Sequence, residues 1–509
     1  MLLAAQVANR VGVQPNSEAN GLQPENDDST TKDLQVQQLG HLSLNEQPIH
    51  SQDTAQKGTI TPFIGRCSIS ILPDELLVEI LTYGTAGPDG YQQLDLIEAS
   101  TDRARAPFIV SAVCTRWRSA ATAASRLWHY ILVPRLYVSN DRDQWQERTL
   151  CYLEAVLTRS REVPIDLILQ FLDKALIAHR SRWRRFVAVI SGSSMVQATL
   201  NCLTAPTPRL RTVQLAHQTD TTAWMWNITP LRLPEKLQMD SPILPDAPSL
   251  VFCTVINIPW VLWQAPTLRV RPTMTSLELV EEVLDSRIWD ILRDNPQIDW
   301  LVLGAQIVPD VPPAQPLELP NLKTLRMVNS AHMLFILHFA HLRMPKVDEL
   351  TLIYTPTTIV GLEPFFRSTR NTLVFLDFRD LNGLSEADVS AMAALTKLED
   401  AQFCGCRLPN ALFVRLAQVE RSEMGDLHEV MWPRLQTLGL YTTTVEDVAA
   451  GSLVDLARAR ARQGPFEGQS NTPRWSRLKL EFGEHKDVPS EQMDEIVRIM
   501  NEGWGDPST

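Results

Sequence analysis

Two groups of side chains in this sequence have residue types that bind metals. Cys404 and Cys406 are separated by a single residue, and His332, His338 and His341 fall in one predicted helix. A structural zinc site needs four Cys or His ligands, usually supplied as two closely spaced pairs. No second pair lies at a suitable spacing, only His338 and His341 share a helical face, and no carboxylate completes a site. We therefore interpret the cysteines as the end of a strand and the histidines as structural or exposed, and we expect no metal and no cofactor.

Sequence patterns that mark common catalytic and nucleotide-binding sites are missing from the chain. It has no G-x-x-x-x-G-K-[ST], no G-x-G-x-x-G after a predicted strand, no G-x-S-x-G and no H-E-x-x-H. A short basic run, ARARAR at 457–462, is the candidate for contact with nucleic acid. The net charge of −12 argues against nucleic-acid binding and favours a solvated helix face for this run. We expect a non-catalytic protein, with an enzyme of unrecognised site as the alternative.

Cysteine usage and hydropathy limit where the protein is expected to work. Seven scattered cysteines, an odd number, argue against a secreted disulfide framework and favour a reducing compartment. The opening MLLAAQVANR is too short an apolar run for a signal peptide. The sequence also lacks a run of about 18 uncharged apolar residues, the length that a membrane helix requires. We expect an intracellular protein, in the cytoplasm, the nucleus or both, without a membrane partner.

The stretch from Ile71 to Trp128 predicts a small all-helical module. Pro73 suits the first position of a helix, and the acidic pair Asp74 and Glu75 favours the positive end of the helix dipole. Two apolar stripes with steps of three or four residues follow. Their residues are Leu72, Leu76, Leu77, Ile80 and Leu81 in the first, and Ile109, Val113, Trp117, Ala120 and Ala124 in the second. Because these stripes are wide for such short helices, we expect part of them to face a partner.

The same stretch resembles the F-box. This family opens with a Leu-Pro pair and an apolar helix, continues with a Val-Cys-x-x-Trp core and closes with a Leu-Trp pair. The matching positions are Leu72, Pro73, Leu76, Leu77, Ile80, Val113, Cys114, Trp117, Leu127 and Trp128. The connection from 82 to 108 is longer than usual, as in the looser F-box-like variants common in basidiomycete fungi. The resemblance implies that the matching residues bind a Skp-type adaptor.

From Trp183 onward the chain repeats an L-x-x-L-x-L unit with conservative replacements. Six successive units start at 274, 298, 322, 347, 373 and 398, so the steps are 24, 24, 25, 26 and 25 residues. Other units start at Leu210, Leu250, Leu435 and Trp475, and Trp183 begins a degenerate copy. This pattern resembles the leucine-rich repeat, in which each unit supplies one short strand and a return segment. No unit buries its apolar face alone, so neighbouring units are expected to stack into a solenoid.

The two resemblances together define the expected architecture. We predict an α/β fold: a small all-α F-box-like module, then an irregular leucine-rich-repeat solenoid with parallel strands on the concave face and helices on the convex face. The expected divisions are a disordered tail at 1–65, the helical module at 66–135, a linking helix and strand at 136–182, the solenoid at 183–485 and a C-terminal helix and tail at 486–509. Longer loops are expected around 217–247 and 458–474.

Residues between the apolar positions of each strand point to the concave face of such a solenoid. This assigns to one surface Glu278, Trp300, Val302, Arg326, Glu349, Phe375, Asp377, Arg379, Asp400, Gln402 and Tyr441. Exposed aromatic and arginine side chains are common anchors of protein interfaces. The expected substrate-binding residues are Trp300, Arg326, Glu349, Phe375, Asp377, Arg379 and Asp400. The alternative is that these are ordinary strand residues or that loops cover them.

The F-box resemblance implies a substrate-receptor subunit of an SCF-type ubiquitin ligase. The helical module would bind a Skp-type adaptor and, through it, a cullin-RING ligase, while the solenoid would hold an unknown protein substrate. Such a chain acts through proximity and supplies no nucleophile, base or metal. The alternative is a leucine-rich-repeat interaction scaffold that engages no ligase, and adaptor binding discriminates between the two.

Overall fold

The structure is a computed structural model that describes most of the chain after residue 71. The described residues are 72–86, 96–133, 142–169, 174–190, 193–217, 244, 247–258, 274–281, 283–355, 359–381, 383–418, 431–445, 449–461, 478–483 and 490–502. All of them belong to one compact unit, Cys67–Thr509. The predicted tail at 1–65 lies outside the described residues, as do most of the predicted loops at 217–247 and 458–474.

Three helices and a short 3₁₀ turn form the N-terminal helical module. They are α1 (Asp74–Ala86), α2 (Leu96–Val113), α3 (Thr115–Ala123) and the turn Ser125–Trp128. Asp74 and Glu75 occupy the first turn of α1, where the helix dipole favours negative charge. The Cys114 side chain caps α3 by accepting a hydrogen bond from the Trp117 amide at 3.5 Å. Each helix of the module packs against the other two.

The long connection predicted between 82 and 108 is largely helical. α1 continues to Ala86 and α2 begins at Leu96, so only residues 87–95, which lie outside the described residues, separate the two helices. Pro107 lies inside α2. Proline normally interrupts a helix because it has no N–H and its ring contacts the preceding turn, so this helix is hard to recognise in the sequence.

Thirteen strands of the described residues form one parallel sheet, and their order in the sheet follows their order in the sequence. They are β1 (Tyr130–Val133), β2 (Ile165–Leu169), β3 (Trp183–Ile190), β4 (Thr212–His217), β5 (Phe252–Ile256), β6 (Ser276–Val280), β7 (Trp300–Ala305), β8 (Thr324–Asn329), β9 (Glu349–Ile353), β10 (Phe375–Arg379), β11 (Asp400–Cys404), β12 (Thr437–Tyr441) and β13 (Lys479–Phe482). Equivalent positions of neighbouring units pair: Leu325 lies opposite Leu301 on one side and Leu350 on the other.

Helices in the return segments cover one face of this sheet. They are α4 (Arg142–Ser160), α5 (Lys174–Ile177), α6 (Ser193–Cys202), α7 (Arg287–Asp294), α8 (Met333–His338), α9 (Glu363–Thr369), α10 (Glu386–Met392), α11 (Asn410–Ala417), α12 (Ala449–Ala461) and α13 (Ser490–Glu502). Phe335, Phe365 and Met392 of these helices share one hydrophobic core with Leu350 and Leu376 of the strands. We call the opposite face of the sheet the open face. Within the described residues, no helix combines the length and apolar character needed to cross a membrane.

The apolar positions of the predicted units form the core. Leu322, Leu325 and Met327 of one unit are fully buried, as are Leu373 and Leu376 of another. Burying a side chain of this size contributes about 1.5–3 kcal/mol, so each unit gains stability only when its neighbours cover it. The parallel sheet with one strand per unit confirms the prediction of a leucine-rich-repeat solenoid.

The sheet begins before the predicted start at residue 183. β1 and β2 precede it in the same sheet, and their pairing is parallel. Their units have the same spacing of buried positions, but Trp128 and Pro164 stand at the first position, where most of the other units have an aliphatic residue. The buried residues Ile131 and Val133 follow Trp128 by three and five positions. Pro164 departs from the leucine pattern, and Trp128 also belongs to the F-box-like stretch, so the pattern does not identify these two units.

A residue in the left-handed region of backbone conformation ends many of the strands. These residues, each directly after or at the end of its strand, are Asn257, Asn329, Tyr354, Asp380, Gly405 and Thr442. Their amides extend the sheet ladder: the Asp380 amide donates to the Cys404 oxygen at 2.7 Å, and the Gly405 amide donates to the Tyr441 oxygen at 2.8 Å. At Gly405, where φ is +65°, a Cβ atom would lie 2.2 Å from Oδ1 of Asp380.

Gly405→Ala is expected to destabilise the protein, whereas Gly451→Ala in α12 is expected to stabilise it. The left-handed conformation disfavours alanine by roughly 1–2 kcal/mol, and the contact with Asp380 adds to this. A Cβ atom at Gly451 meets nothing within 4 Å, and alanine is the better helix former by about 0.8–1 kcal/mol. Urea unfolding midpoints measure both effects. Equal shifts of the two variants would contradict the role of Gly405 in the turn.

Candidate functional site

The apolar stripe of α1 divides into a buried side and an exposed side. Leu77 and Leu81 are buried in the core that the module shares with the solenoid. Leu76 and Ile80, one position earlier in each case, are 47% and 54% exposed. Because a helix turns by about 100° per residue, neighbouring positions of one wide stripe can face different surroundings. The exposed side of α1 is therefore available to a partner.

The end of α2 adds further exposed apolar side chains to the module. Ile109 and Val113 are 63% and 58% exposed, and Tyr83 at the end of α1 is 88% exposed. The N-terminus of α1 is joined to α3 by an ion pair between Arg116 and Asp74 at 2.8 Å. We call the set Leu76, Ile80, Tyr83, Ile109 and Val113 the module apolar face. Exposed aliphatic and aromatic side chains concentrated on so small a module are typical of an interaction surface.

Three of the predicted adaptor-binding residues need correction. Leu77, Leu127 and Trp128 are at most 2% exposed, so they stabilise the module and do not meet a partner directly. Among the other predicted residues, Pro73 and Cys114 are exposed, and Leu72 and Trp117 are partly exposed. Sequence periodicity marks apolar positions but does not say which of them pack inside the chain. It therefore cannot separate the buried residues of the module from those that are exposed to a partner.

Trp128 connects the module to the solenoid. Its Nε1–H donates to the Ala121 oxygen at 2.7 Å, and its ring packs edge-on against Phe108 with 5.0 Å between the ring centroids. The guanidinium of Arg159 in α4 lies 4.4 Å from the Trp128 ring centroid. A cation over a buried aromatic face is stabilised by the ring quadrupole. Phe108 and Arg159 are missing from the residues that the sequence singled out, because neither belongs to a periodic stripe.

A second group of contacts fixes the module to the first strands. The Arg103 guanidinium of α2 lies 4.4 Å from the Tyr130 ring centroid. Its Nη2 is 3.3 Å from Nε2 of His129, and that nitrogen is 3.8 Å from Asp166 in β2. Arg184 of β3 forms two hydrogen bonds with Asp166, at 2.8 and 2.6 Å. Burial lowers the pKa of His129, against the raising effects of the Arg126 carbonyl and Asp166.

The predicted substrate-binding residues lie in rows on the open face. Strand pairing aligns one row along Trp300, Thr324, Glu349, Phe375 and Asp400. A second row, two positions later in each strand, runs through Val302, Arg326, Thr351, Asp377 and Gln402. Adjacent parallel strands lie about 4.8 Å apart, so neighbours in a row are in contact range of the same partner. The sequence thus places these residues together, while their role in binding stays a prediction.

Two residues assigned to this surface are too buried to contact a partner. Val302 is 1% exposed and packs with Ile256 and Val280 in a small apolar cluster on the open face. Asp377 is also 1% exposed, and its carboxylate pairs with Arg379 at 2.7 Å. The predicted direct role of Asp377 is therefore corrected to that of a partner that orients Arg379. In both cases neighbouring side chains on the open face shield the residue from solvent. The alternation of residues along a strand does not reveal this effect.

The charged side chains of the open face differ in how well they are paired. The Thr324 hydroxyl donates to Glu349 at 2.9 Å, and the Thr254 hydroxyl donates to Glu278 at 3.2 Å. Burial raises the pKa of Glu278, while the bond from Thr254 and the charge of Arg326 oppose this shift. For Arg326, burial lowers the pKa, and repulsion from Arg379 adds to the effect.

Asp400 lies at the C-terminal end of the first row, and Tyr441 lies on the following strand, paired with Cys404. The Tyr441 hydroxyl donates to Glu481, and burial, together with this contact, raises the pKa of Tyr441. Burial also raises the pKa of Asp400, with repulsion from Glu481 and Asp377 adding to the effect and the bond from Gln402 opposing it. A half-buried carboxylate in this setting is a favourable neighbour for a positive charge.

The cysteine and histidine groups have structural roles. The Cys406 thiol is buried beside the Phe378 carbonyl oxygen at 3.4 Å, and burial raises its pKa to about 12. His338 Nε2 lies 2.9 Å from the Pro309 oxygen, and His332 Nδ1 lies 3.0 Å from the Asn329 oxygen. Across the part of the chain that the structure describes, no group of three or more His, Cys, Asp or Glu side chains is placed to hold a metal ion.

The basic run at 457–462 is not simply a solvated face. Arg460 in α12 is 1% exposed and donates hydrogen bonds to the carbonyl oxygens of Leu416 at 3.2 Å and Met431 at 3.1 Å. Burial lowers its pKa to about 10. Arg458, in contrast, is on the surface and pairs with Glu495. The sequence does not show that Arg460 is buried and Arg458 is exposed, because the carbonyl groups that accept hydrogen bonds from Arg460 are distant in sequence.

No protein-family model matches the chain, and no curated protein matches it. Among solved structures, the chain is similar to an internalin (InlF) from Listeria monocytogenes, with 13% sequence identity and a TM-score of 0.27. The similarity covers 66% of this chain and 79% of the internalin chain. The assignment of a leucine-rich-repeat architecture therefore rests on the parallel sheet and its buried repeat positions described above.

The free energy of unfolding is expected to fall as the pH drops below about 6.5. Burial lowers the pKa of His332, as it does for His129, so these rings bind protons more readily in the unfolded chain. Their contribution to stability is present above the unfolded pKa and is lost as the pH falls towards the folded pKa. Urea titrations between pH 8 and pH 5 measure the slope. His332→Gln should reduce that slope, whereas Leu337→Gln, at an exposed position that does not titrate, should retain it. Equal slopes in the two variants would contradict the contribution of His332.

Proposed function

We propose that this protein is the substrate-receptor subunit of an SCF-type ubiquitin ligase. The observation that carries the proposal is the module apolar face, which lies on helices whose sequence resembles the F-box. Leu76, Ile80 and Val113 belong to the matching positions and are exposed, as a partner contact requires. Burying such side chains against an adaptor supplies the main favourable term of association.

In this role the protein acts by holding two partners at a fixed separation. The module binds a Skp-type adaptor, through which a cullin-RING ligase is attached, and the open face binds the protein substrate. Transfer of ubiquitin to a substrate lysine then takes place between groups on the other proteins, at a raised local concentration. The contacts of Trp128 with Arg159 and of Arg103 with Tyr130 support this role, because they attach the module directly to the first repeat unit. A flexible tether would dilute the local concentration, whereas a direct attachment maintains it.

Leu76→Glu combined with Ile80→Glu is expected to weaken adaptor binding by about 100-fold or more. Each side chain contributes at least about 1.5 kcal/mol when buried, and every 1.4 kcal/mol changes affinity about tenfold. Calorimetric titration of the full-length chain with a purified Skp-type adaptor measures the change. Both positions are exposed, so the unfolding midpoint should be retained.

Leu337→Glu is the matched control for this experiment. Leu337 is 51% exposed on α8 of the solenoid, and the substitution is chemically the same. It should leave adaptor affinity unchanged. If the unaltered protein is folded and does not bind the adaptor, the ligase role fails and the protein is a leucine-rich-repeat interaction scaffold. If Leu337→Glu weakens binding as much as the double variant, the adaptor does not use the module apolar face.

A further inference from the structure

Arg326 is a cation on the open face without a hydrogen-bonded partner. Among the described residues no oxygen accepts a hydrogen bond from its guanidinium, and its Nε is buried. Its guanidinium lies 5.7 Å from the ring centroid of Trp300, which is 38% exposed. The charges of Glu278, Asp377 and Glu349 attract Arg326, but each of these carboxylates has a hydrogen-bonded partner elsewhere. Glu278 accepts from Thr254, Glu349 accepts from Thr324, and Asp377 pairs with Arg379. The lowered pKa of Arg326 agrees with a positive charge that its surroundings compensate poorly.

Asp400 is the corresponding anion. It forms no ion pair within the described residues, and its hydrogen bond from the Gln402 amide is long, at 3.4 Å. The half-buried Phe375 is its direct neighbour across the strand pair. Repulsion from Glu481 and Asp377 raises the pKa of Asp400, and the charge of Lys479 opposes this shift. Lys479 forms its ion pair with Glu481, and Asp377 pairs with Arg379. A positive charge placed here would be attracted by the Asp400 carboxylate and by the neighbouring aromatic ring.

The spacing between these two residues matches an extended peptide. Arg326 is on β8 and Asp400 is on β11, three strand spacings or about 14 Å away, with an offset of two positions along the strand direction. An extended segment covers about 13–14 Å in four residues. Side chains four positions apart also point to the same side of such a segment, and the reach of the arginine side chain covers the remaining offset.

We propose that the open face binds an extended segment of the protein substrate that carries an acidic and a basic side chain four residues apart. The acidic side chain pairs with Arg326 beside Trp300, and the basic side chain pairs with Asp400 beside Phe375. The inference rests on the proposed receptor function, because it describes the substrate that such a receptor holds. The aromatic neighbours contribute apolar contact area, and the two charges determine the register in which the segment binds.

Selection from a library of random 12-residue peptides tests this proposal with the full-length chain as bait. Enriched peptides should carry one acidic and one basic residue at a separation of four. Their affinity should fall about tenfold or more with Arg326→Gln and with Asp400→Asn, since each substitution removes one charge-assisted contact. Arg293→Gln is the matched control, because Arg293 is an exposed arginine of α7 that pairs with Asp290. It should leave the affinities unchanged.

A charge-reversed variant, Arg326→Glu with Asp400→Lys, sharpens the test. It should prefer the same peptides with their acidic and basic residues exchanged. Failure to enrich any peptide, enrichment of peptides without this pair, or affinities that ignore both single substitutions would overturn the proposal. Adaptor binding is measured separately on the same variants, so that failure of the substrate inference is distinguished from failure of the receptor function.

Discussion

The structure depends on the inability of any single repeat unit to bury its own apolar side chains. Each strand presents residues such as Leu325 and Met327 to the helical face, where helices and the neighbouring units cover them. Burial and backbone pairing therefore accumulate along the chain, and both are incomplete at its ends. At the N-terminal end the helical module supplies the missing cover, with Trp128 and Phe108 packed over the first strand.

The open face is under a different constraint, because few of its side chains are needed for the core. On its N-terminal strands this face is covered by α2, where Ala104 packs with Tyr130, Leu132 and Ile168. The middle strands carry the apolar cluster around Val280, and the strands from β8 onward carry most of the charge. Charged groups there are only partly matched to one another. This division concentrates charged side chains on the C-terminal half of the sheet.

Much of the fold could be predicted from the sequence, because each repeat buries three apolar residues at fixed spacing. The units around Leu325, Leu350 and Leu376 illustrate this. The first two units do not stand out in the sequence, since Pro164 departs from the leucine pattern and Trp128 also belongs to the F-box-like stretch. The rows of the open face follow from strand alternation, so the predicted binding residues are neighbours. Solvent exclusion at Asp377 and Val302, and the burial of Leu77 beside exposed Leu76, depend on packing between distant segments, which a single sequence does not encode in a local pattern.

Trp128 closes the helical module and also occupies the first buried position of the first repeat unit. One side chain thus belongs to both parts of the molecule, and β1 begins two residues later. There is no length of chain at this junction that could act as a swivel. The helical module can therefore change its orientation relative to the distant repeat units only if the sheet itself bends.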